Sequence, residues 1–172
     1  MSKKETVSTV QDIEALERKV HESARKSARA LRKLTSRTDG LKLLYGLKFQ
    51  QIGCDPLEKR RSLNLIEQLN QSFTYLVSLM GVAFLLERHP RAAPFTVNFG
   101  TSPGMDIVSN DGSVAAEAFA ATRPDSNNKL KKDLLKVSSS KARYKYVFYC
   151  SPGTEPKAQR TGDVEVVSLR LG

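Results

Sequence analysis

The chain has few of the residues that most often build catalytic and metal centres: two cysteines, two histidines and no tryptophan in 172 residues. Cys54 and Cys150 lie far apart and outside any Cys-x-x-Cys spacing, which argues against a thiolate metal site. They are expected to be reduced intracellular thiols, although a disulfide between them is also compatible with the sequence. His21 and His89 are remote from each other and from the acidic hairpin described below, so neither a histidine zinc site nor a Ser-His-Asp triad has support. Long hydrophobic runs are also missing. The longest, Val82 to Leu86, is far too short to span a bilayer, and the N-terminus leads into polar sequence. The expectation is a cytoplasmic protein with no signal peptide and no membrane association.

Acidic residues are scarce too. Twenty-eight Lys and Arg stand against 18 Asp and Glu, a net charge of +10. A surface this basic attracts polyanions, with nucleic acid first and an anionic membrane second. Charge alone is equally compatible with a basic protein that has no specific anion. The 40% of hydrophobic residues is ordinary for a globular protein, and the length suffices for one domain with an appendage.

Residues 10–37 have helical periodicity, with Val10, Ile13, Leu16, Val20, Ala24, Ala28, Leu31 and Leu34 on a narrow apolar stripe. Asp12, Glu14, Glu17 and Glu22 load the first half, while Arg25, Lys26, Arg29, Arg32, Lys33 and Arg37 follow with no acid among them. That order suits the helix dipole. The expectation is a basic arm over residues 1–40 that ends at Thr38-Asp39-Gly40. Arg25, Arg29, Arg32 and Lys33 would be placed along a phosphate backbone, or residues 10–37 would serve a homodimer or a protein partner. A helix that merely docks its stripe and solvates its charges fits as well.

Residues 41–172 make the body. A short helix at Leu41–Ile52 brings Leu43, Leu44, Leu47 and Phe49 to the core, and Gly53-Cys54-Asp55-Pro56 breaks it. A long helix is expected from Leu57 to about Arg88, its broad apolar set (Leu63, Ile66, Leu69, Phe73, Leu76, Val77, Met80, Phe84, Leu85) buried. One edge of it stays polar through Glu67, Gln71, Thr74 and Ser78. Strands follow at Phe95–Phe99, Met105–Ser109 and Val114–Phe119, then a helix at about Asn128–Val137, a strand at Ala142–Cys150, a Pro152-Gly153 turn and a last strand at Val164–Leu171. This is an α/β pattern with a mixed central sheet, an antiparallel meander followed by a helix and further strands, flanked by helices.

The most informative segment is the hairpin around Asn110-Asp111-Gly112. A two-residue turn at Asp111-Gly112 pairs positions that sum to 223 and sets Asp106 opposite Glu117 on one face. Like charges so placed destabilise a sheet by roughly 0.2–1 kcal/mol. A divalent cation held by oxygen ligands offsets that repulsion. A three-residue turn would instead pair Asp106 with Ala116 and send the acids to opposite faces.

With these residues in place, residues 57–172 resemble the PD-(D/E)xK nuclease superfamily, the restriction-endonuclease-like fold. The likeness rests on a core helix ahead of a β-meander, Asp106 on the second strand, Glu117 on the third, and a following helix and strand. Glu67 stands where that helix often contributes an acid. The motif's lysine is due two residues after Glu117, and this chain has Phe119 there. The resemblance implies Mg²⁺ (or Mn²⁺) held by Asp106, Glu117 and a backbone carbonyl such as that of Ala118, with Glu67 as a further metal ligand. It also implies a lysine from the next helix, Lys129 or Lys132, in the catalytic role, and Lys131 with the basic helix holding DNA. The function so implied is a metal-dependent phosphodiesterase acting on DNA. The alternative is a catalytically inactive nuclease-fold protein that binds nucleic acid or a protein partner, a role to which Phe119 is suited. An unrelated α/β scaffold with an accidental acid pair is the remaining option.

Overall fold

A computed structural model describes residues 3–36, 39–100 and 103–171. Arg37 and Thr38, at the end of the expected basic arm, lie outside them. The elements are β1 (Lys4–Val7), α1 (Val10–Thr35), α2 (Gly40–Phe49), β2 (Gly53–Cys54), β3 (Ser62–Leu63), α3 (Leu65–Arg88), β4 (Phe95–Asn98), β5 (Ile107–Ser109), β6 (Val114–Ala120), α4 (Lys129–Ser138), β7 (Tyr144–Cys150), β8 (Lys157–Thr161) and β9 (Val164–Leu169). The fold is mixed α/β. Seven strands form one sheet in the order β1-β4-β5-β6-β7-β9-β8, and β2 and β3 form a separate two-stranded ladder. The β1-β4-β5-β6 run is antiparallel, β6-β7-β9 is parallel, and β8 closes the edge antiparallel to β9.

The chain divides into two compact units, Met1–Ile13 with Leu76–Gly172, and Glu14–Tyr75. The first contains the large sheet. Residues alternate between its two faces. Phe119, Val147, Tyr149, Val164 and Val166 pack with Val137 of α4, with Leu130 and Leu134 beside them. The other face carries Tyr146 and Phe148, whose rings meet Phe84 of α3 at centroid distances of 6.0 and 5.5 Å. Gly81 lets α3 lie this close: a Cβ there would sit 2.7 Å from Phe148 Cδ2. Gly81→Ala is therefore expected to cost about 1–3 kcal/mol, read as a lower midpoint in thermal or urea unfolding, because a fully buried ring must move.

In the Glu14–Tyr75 unit a polar network lies buried beside the apolar Leu16, Val20, Leu63 and Tyr75. Gln68 of α3 accepts from Ser27 Oγ (2.9 Å) and Cys54 N (2.9 Å) and donates to Ser23 Oγ (3.0 Å) and Ser72 Oγ (2.9 Å). Ser23 Oγ donates in turn to the Cys54 carbonyl. This network shifts the buried face of α1. Ser23 and Ser27 are inside while Ala24, Ala28 and Val10 of the expected stripe are exposed.

Helix α3 starts eight residues later than the sequence suggested. Asp55 Oδ1 accepts from the amides of Leu57 and Glu58, both at 3.0 Å, a local turn that competes with helix. Asn64 and Glu67 then form a reciprocal capping box, Asn64 N to Glu67 Oε2 at 3.1 Å and Glu67 N to Asn64 Oδ1 at 2.9 Å. By length and composition alone α3 is apolar enough to cross a membrane, a property it shares with core helices.

Candidate active site

The hairpin keeps the expected register with a different turn. Ile107 pairs with Ala116 and Val108 with Ala115, both summing to 223. The turn itself is wider than two residues: Gly112 N donates to Ser109 O at 3.0 Å, with Gly112 in the left-handed region at φ 71°. Asp111 organises the loop. Its carboxylate accepts from Ser109 Oγ (2.6 Å), Ser113 N (2.9 Å) and Ser113 Oγ (2.8 Å), which pull its pKa down to about 2. Because the loop adds equally to both sides, the register that matters for the acids is unchanged.

Asp106 and Glu117 are consequently neighbours and lock each other's backbone. Asp106 N donates to Glu117 Oε1 at 3.2 Å, and Ala118 N donates to Asp106 Oδ2 at 2.9 Å. Glu117 is 2% exposed, one of the largest fully buried side chains. Burial, then the charge of Asp106, pushes its carboxyl up to about 7, even though Lys136 acts in the opposite direction. Burial also raises Asp106, opposed by the Ala118 amide and by Lys136 and Lys129.

The cation at the pair is Lys136, from α4. Its Nζ lies 2.6 Å from Glu117 Oε1. Neither Lys129 nor Lys132 makes that contact. Lys129 Nζ binds Asp133 Oδ1 at 2.7 Å and hangs 5.8 Å over the Phe119 ring, and Lys132 is exposed. The cause is the helical repeat. With Leu130, Leu134 and Val137 against the sheet, positions 129, 133 and 136 share the flank that borders the acids, and 132 turns further out. The same wheel places Lys136 on this flank, two turns beyond Lys129 and outside the N-terminal end from which Lys129 and Lys132 are expected to act. Asp133, buried at the same flank, is raised by burial, and its Oδ2 has no hydrogen-bond partner.

Glu67 belongs to the Glu14–Tyr75 unit, where its carboxylate caps α3 and lies 3.8 Å from Arg61 Nη2. Among the described residues no group of three His, Cys, Asp or Glu side chains converges as a metal-ligand set. The pair alone is still suited to Mg²⁺, which typically takes one or two protein carboxylates and completes its shell with water and substrate phosphate. The hydrogen bonds described engage Glu117 Oε1 and Asp106 Oδ2, so Oε2 and Oδ1 are the oxygens with capacity for a cation. Phe119 is 3% exposed and stacks on Tyr149 at 5.7 Å, forming an apolar wall beside Glu117. Arg25, Arg29, Arg32 and Lys33 are exposed on α1, and Lys131 is exposed on α4.

No family model, curated protein or solved structure matches the chain.

Proposed function

We propose that this protein is a metal-dependent phosphodiesterase acting on DNA. One observation carries the proposal: a lysine amine 2.6 Å from a buried glutamate that is hydrogen-bonded to the backbone of a neighbouring aspartate. Two acids and a lysine are the groups that the resemblance to PD-(D/E)xK nucleases calls for, with the lysine arriving from the following helix. Asp106 and Glu117 would hold Mg²⁺ or Mn²⁺, which supplies positive charge to the scissile phosphate and makes water acidic enough to attack near neutral pH. Lys136 orients the attacking water or a phosphate oxygen by hydrogen bonding from its ammonium. Glu117 holds that ammonium in place. Phe119 and the residues around it exclude bulk water from one side of the carboxylates, which strengthens every charge interaction there. The exposed cations of α1 and Lys131 supply phosphate contacts without sequence preference.

The test is conversion of supercoiled plasmid to nicked or linear forms. Wild type is expected to cut with Mg²⁺ or Mn²⁺ and to stop in EDTA, and Asp106→Ala is expected to lose at least about 10³-fold in rate. Salt-sensitive DNA binding with no cleavage by wild type would instead favour the inactive DNA-binding alternative.

A further inference from the structure

The flank of α4 that brings Lys136 to the acid pair carries a third carboxylate, Asp133, one helical turn earlier. Asp133 is 3% exposed. Its ion pair with Lys129 engages Oδ1 at 2.7 Å and leaves Oδ2, equally closed to solvent, without a hydrogen-bond partner. A carboxylate oxygen so placed has lost its hydration with nothing in exchange, which is unfavourable. Such an atom calls for a donor from outside the chain.

Asp133 belongs with the pair by charge as well as by helix phase. Burial is the largest influence on all three carboxyls, and it raises each of them. Beyond burial, the charge of Asp133 raises both Asp106 and Glu117, while Lys136, which binds Glu117, lowers Asp133. Fully ionised, three carboxylates against Lys129 and Lys136 leave one negative charge. A divalent cation carrying one phosphodiester brings that to neutral.

The third acid does not act as a direct ligand. Among the described residues no three such side chains converge on one metal. Mg²⁺ held by one or two carboxylates keeps several waters, and their hydrogens, made more acidic by the ion, need acceptors. Lys129 and Lys136 have donors only, and the Phe119 ring has no such group. Of the side chains just named, Asp133 offers the acceptor with capacity, at Oδ2.

We propose that Asp133 is a positioning residue of the cation site, its Oδ2 accepting a hydrogen bond from a water in the shell of an ion held by Asp106 and Glu117. The inference rests on the reading of that pair as a cation site and adds to it the residue that orients the shell.

Mn²⁺ binding to the full chain, followed through the electron paramagnetic resonance signal of the free ion, tests it without recourse to cleavage. Asp133→Asn is the sharpest variant. Lys129 keeps the amide oxygen on its own side, so an NH₂ donor replaces Oδ2 with almost no change of shape. Its Mn²⁺ affinity is expected to fall about 10–100-fold, with helical circular dichroism retained. Asp133→Leu, which leaves no buried polar atom at the position, is expected to fall as far and serves if the amide unfolds the chain. Lys129→Met is expected to bind Mn²⁺ within about threefold of wild type or more tightly, because it removes a positive charge and keeps the acceptor. An ion pair that serves the fold alone would weaken all three variants alike or none, and either pattern overturns the proposal. Binding that Asp106→Ala abolishes but that is unchanged in whichever Asp133 variant folds overturns this inference and leaves the cation site standing. A wild type that binds no Mn²⁺, or binds it no better than Asp106→Ala, overturns the cation site and this inference with it.

Discussion

Lys136→Ala is expected to slow phosphodiester cleavage by about 10²–10⁴-fold, whereas Lys132→Ala stays within about threefold of wild type. The contrast follows from helix phase. Both lysines lie on α4, four residues apart, but only Lys136 reaches Glu117. A structural role for the pair would give a different pattern. Lys136 lowers the affinity of Glu117 for its proton. Its removal therefore raises the Glu117 pKa further and moves the acidic limb of the pH–rate profile to higher pH. Lys136→Arg is expected to recover part of the rate, since it keeps the charge but spreads the donors over a wider, planar head. A purely structural ion pair would change the melting temperature and leave the profile in place. Lys129→Ala is expected to act mainly on stability, because it strips Asp133 of its ion-pair partner.

The second large effect is on stability against pH. Glu117 holds its proton up to about pH 7 in the folded chain, against an ordinary value of 4.5. Its contribution to stability is therefore complete below pH 4.5 and is lost as pH rises through about 7. Between those limits the unfolded chain releases a proton that the native chain retains. The loss is on the order of a few kcal/mol. Asp106 and Asp133, also raised by burial, act in the same direction. In metal-free buffer the unfolding midpoint in urea is thus expected to fall from pH 5 to pH 8, and Glu117→Gln is expected to flatten that slope. Millimolar Mg²⁺ or Mn²⁺ at pH 8 is expected to restore the midpoint in wild type and not in Glu117→Gln, since a ligand that binds only the native state stabilises it. A midpoint that rises steadily to pH 8 without added cation would contradict the assignment of Glu117.

Local patterns proved the most legible part of the fold. The β5–β6 register came from a hairpin whose strands are adjacent in sequence, so one turn fixes every pairing. Helix α4 and strands β7 and β9 were marked by apolar periodicity between clear breakers. The sheet edges were not visible. Lys4–Val7 and Lys157–Thr161 are short and mostly polar, and every residue of β8 is exposed, which protects an edge and erases the alternation that marks a strand. The apolar periodicity of α2 and α3 was real, but it identifies which face is apolar and not what covers it. Leu44, Phe49, Ile66, Leu69 and Phe73 were accordingly expected in the core and are exposed.

The site was half legible for the same reason. Asp106 and Glu117 are fixed by one hairpin, so their meeting follows from local pairing. Lys136 joins them only through the docking of α4 on the sheet, which depends on Leu130, Leu134 and Val137 finding Phe119, Val147 and Val166. Glu67 lies on a helix, a position that by itself does not bring its carboxylate to the acid pair. Its carboxylate is engaged by the Asn64 amide as an N-terminal cap, and Asn64-Leu65-Ile66-Glu67 carries that signature in the sequence.

The most direct measurement of the central claim, that Asp106 and Glu117 are one cation site completed by Lys136, is anomalous scattering from crystals soaked in Mn²⁺. A manganese peak bonded to a carboxylate oxygen of each acid is expected, and it vanishes in Glu117→Ala. A peak elsewhere only, or none at a concentration that supports cleavage, would contradict it.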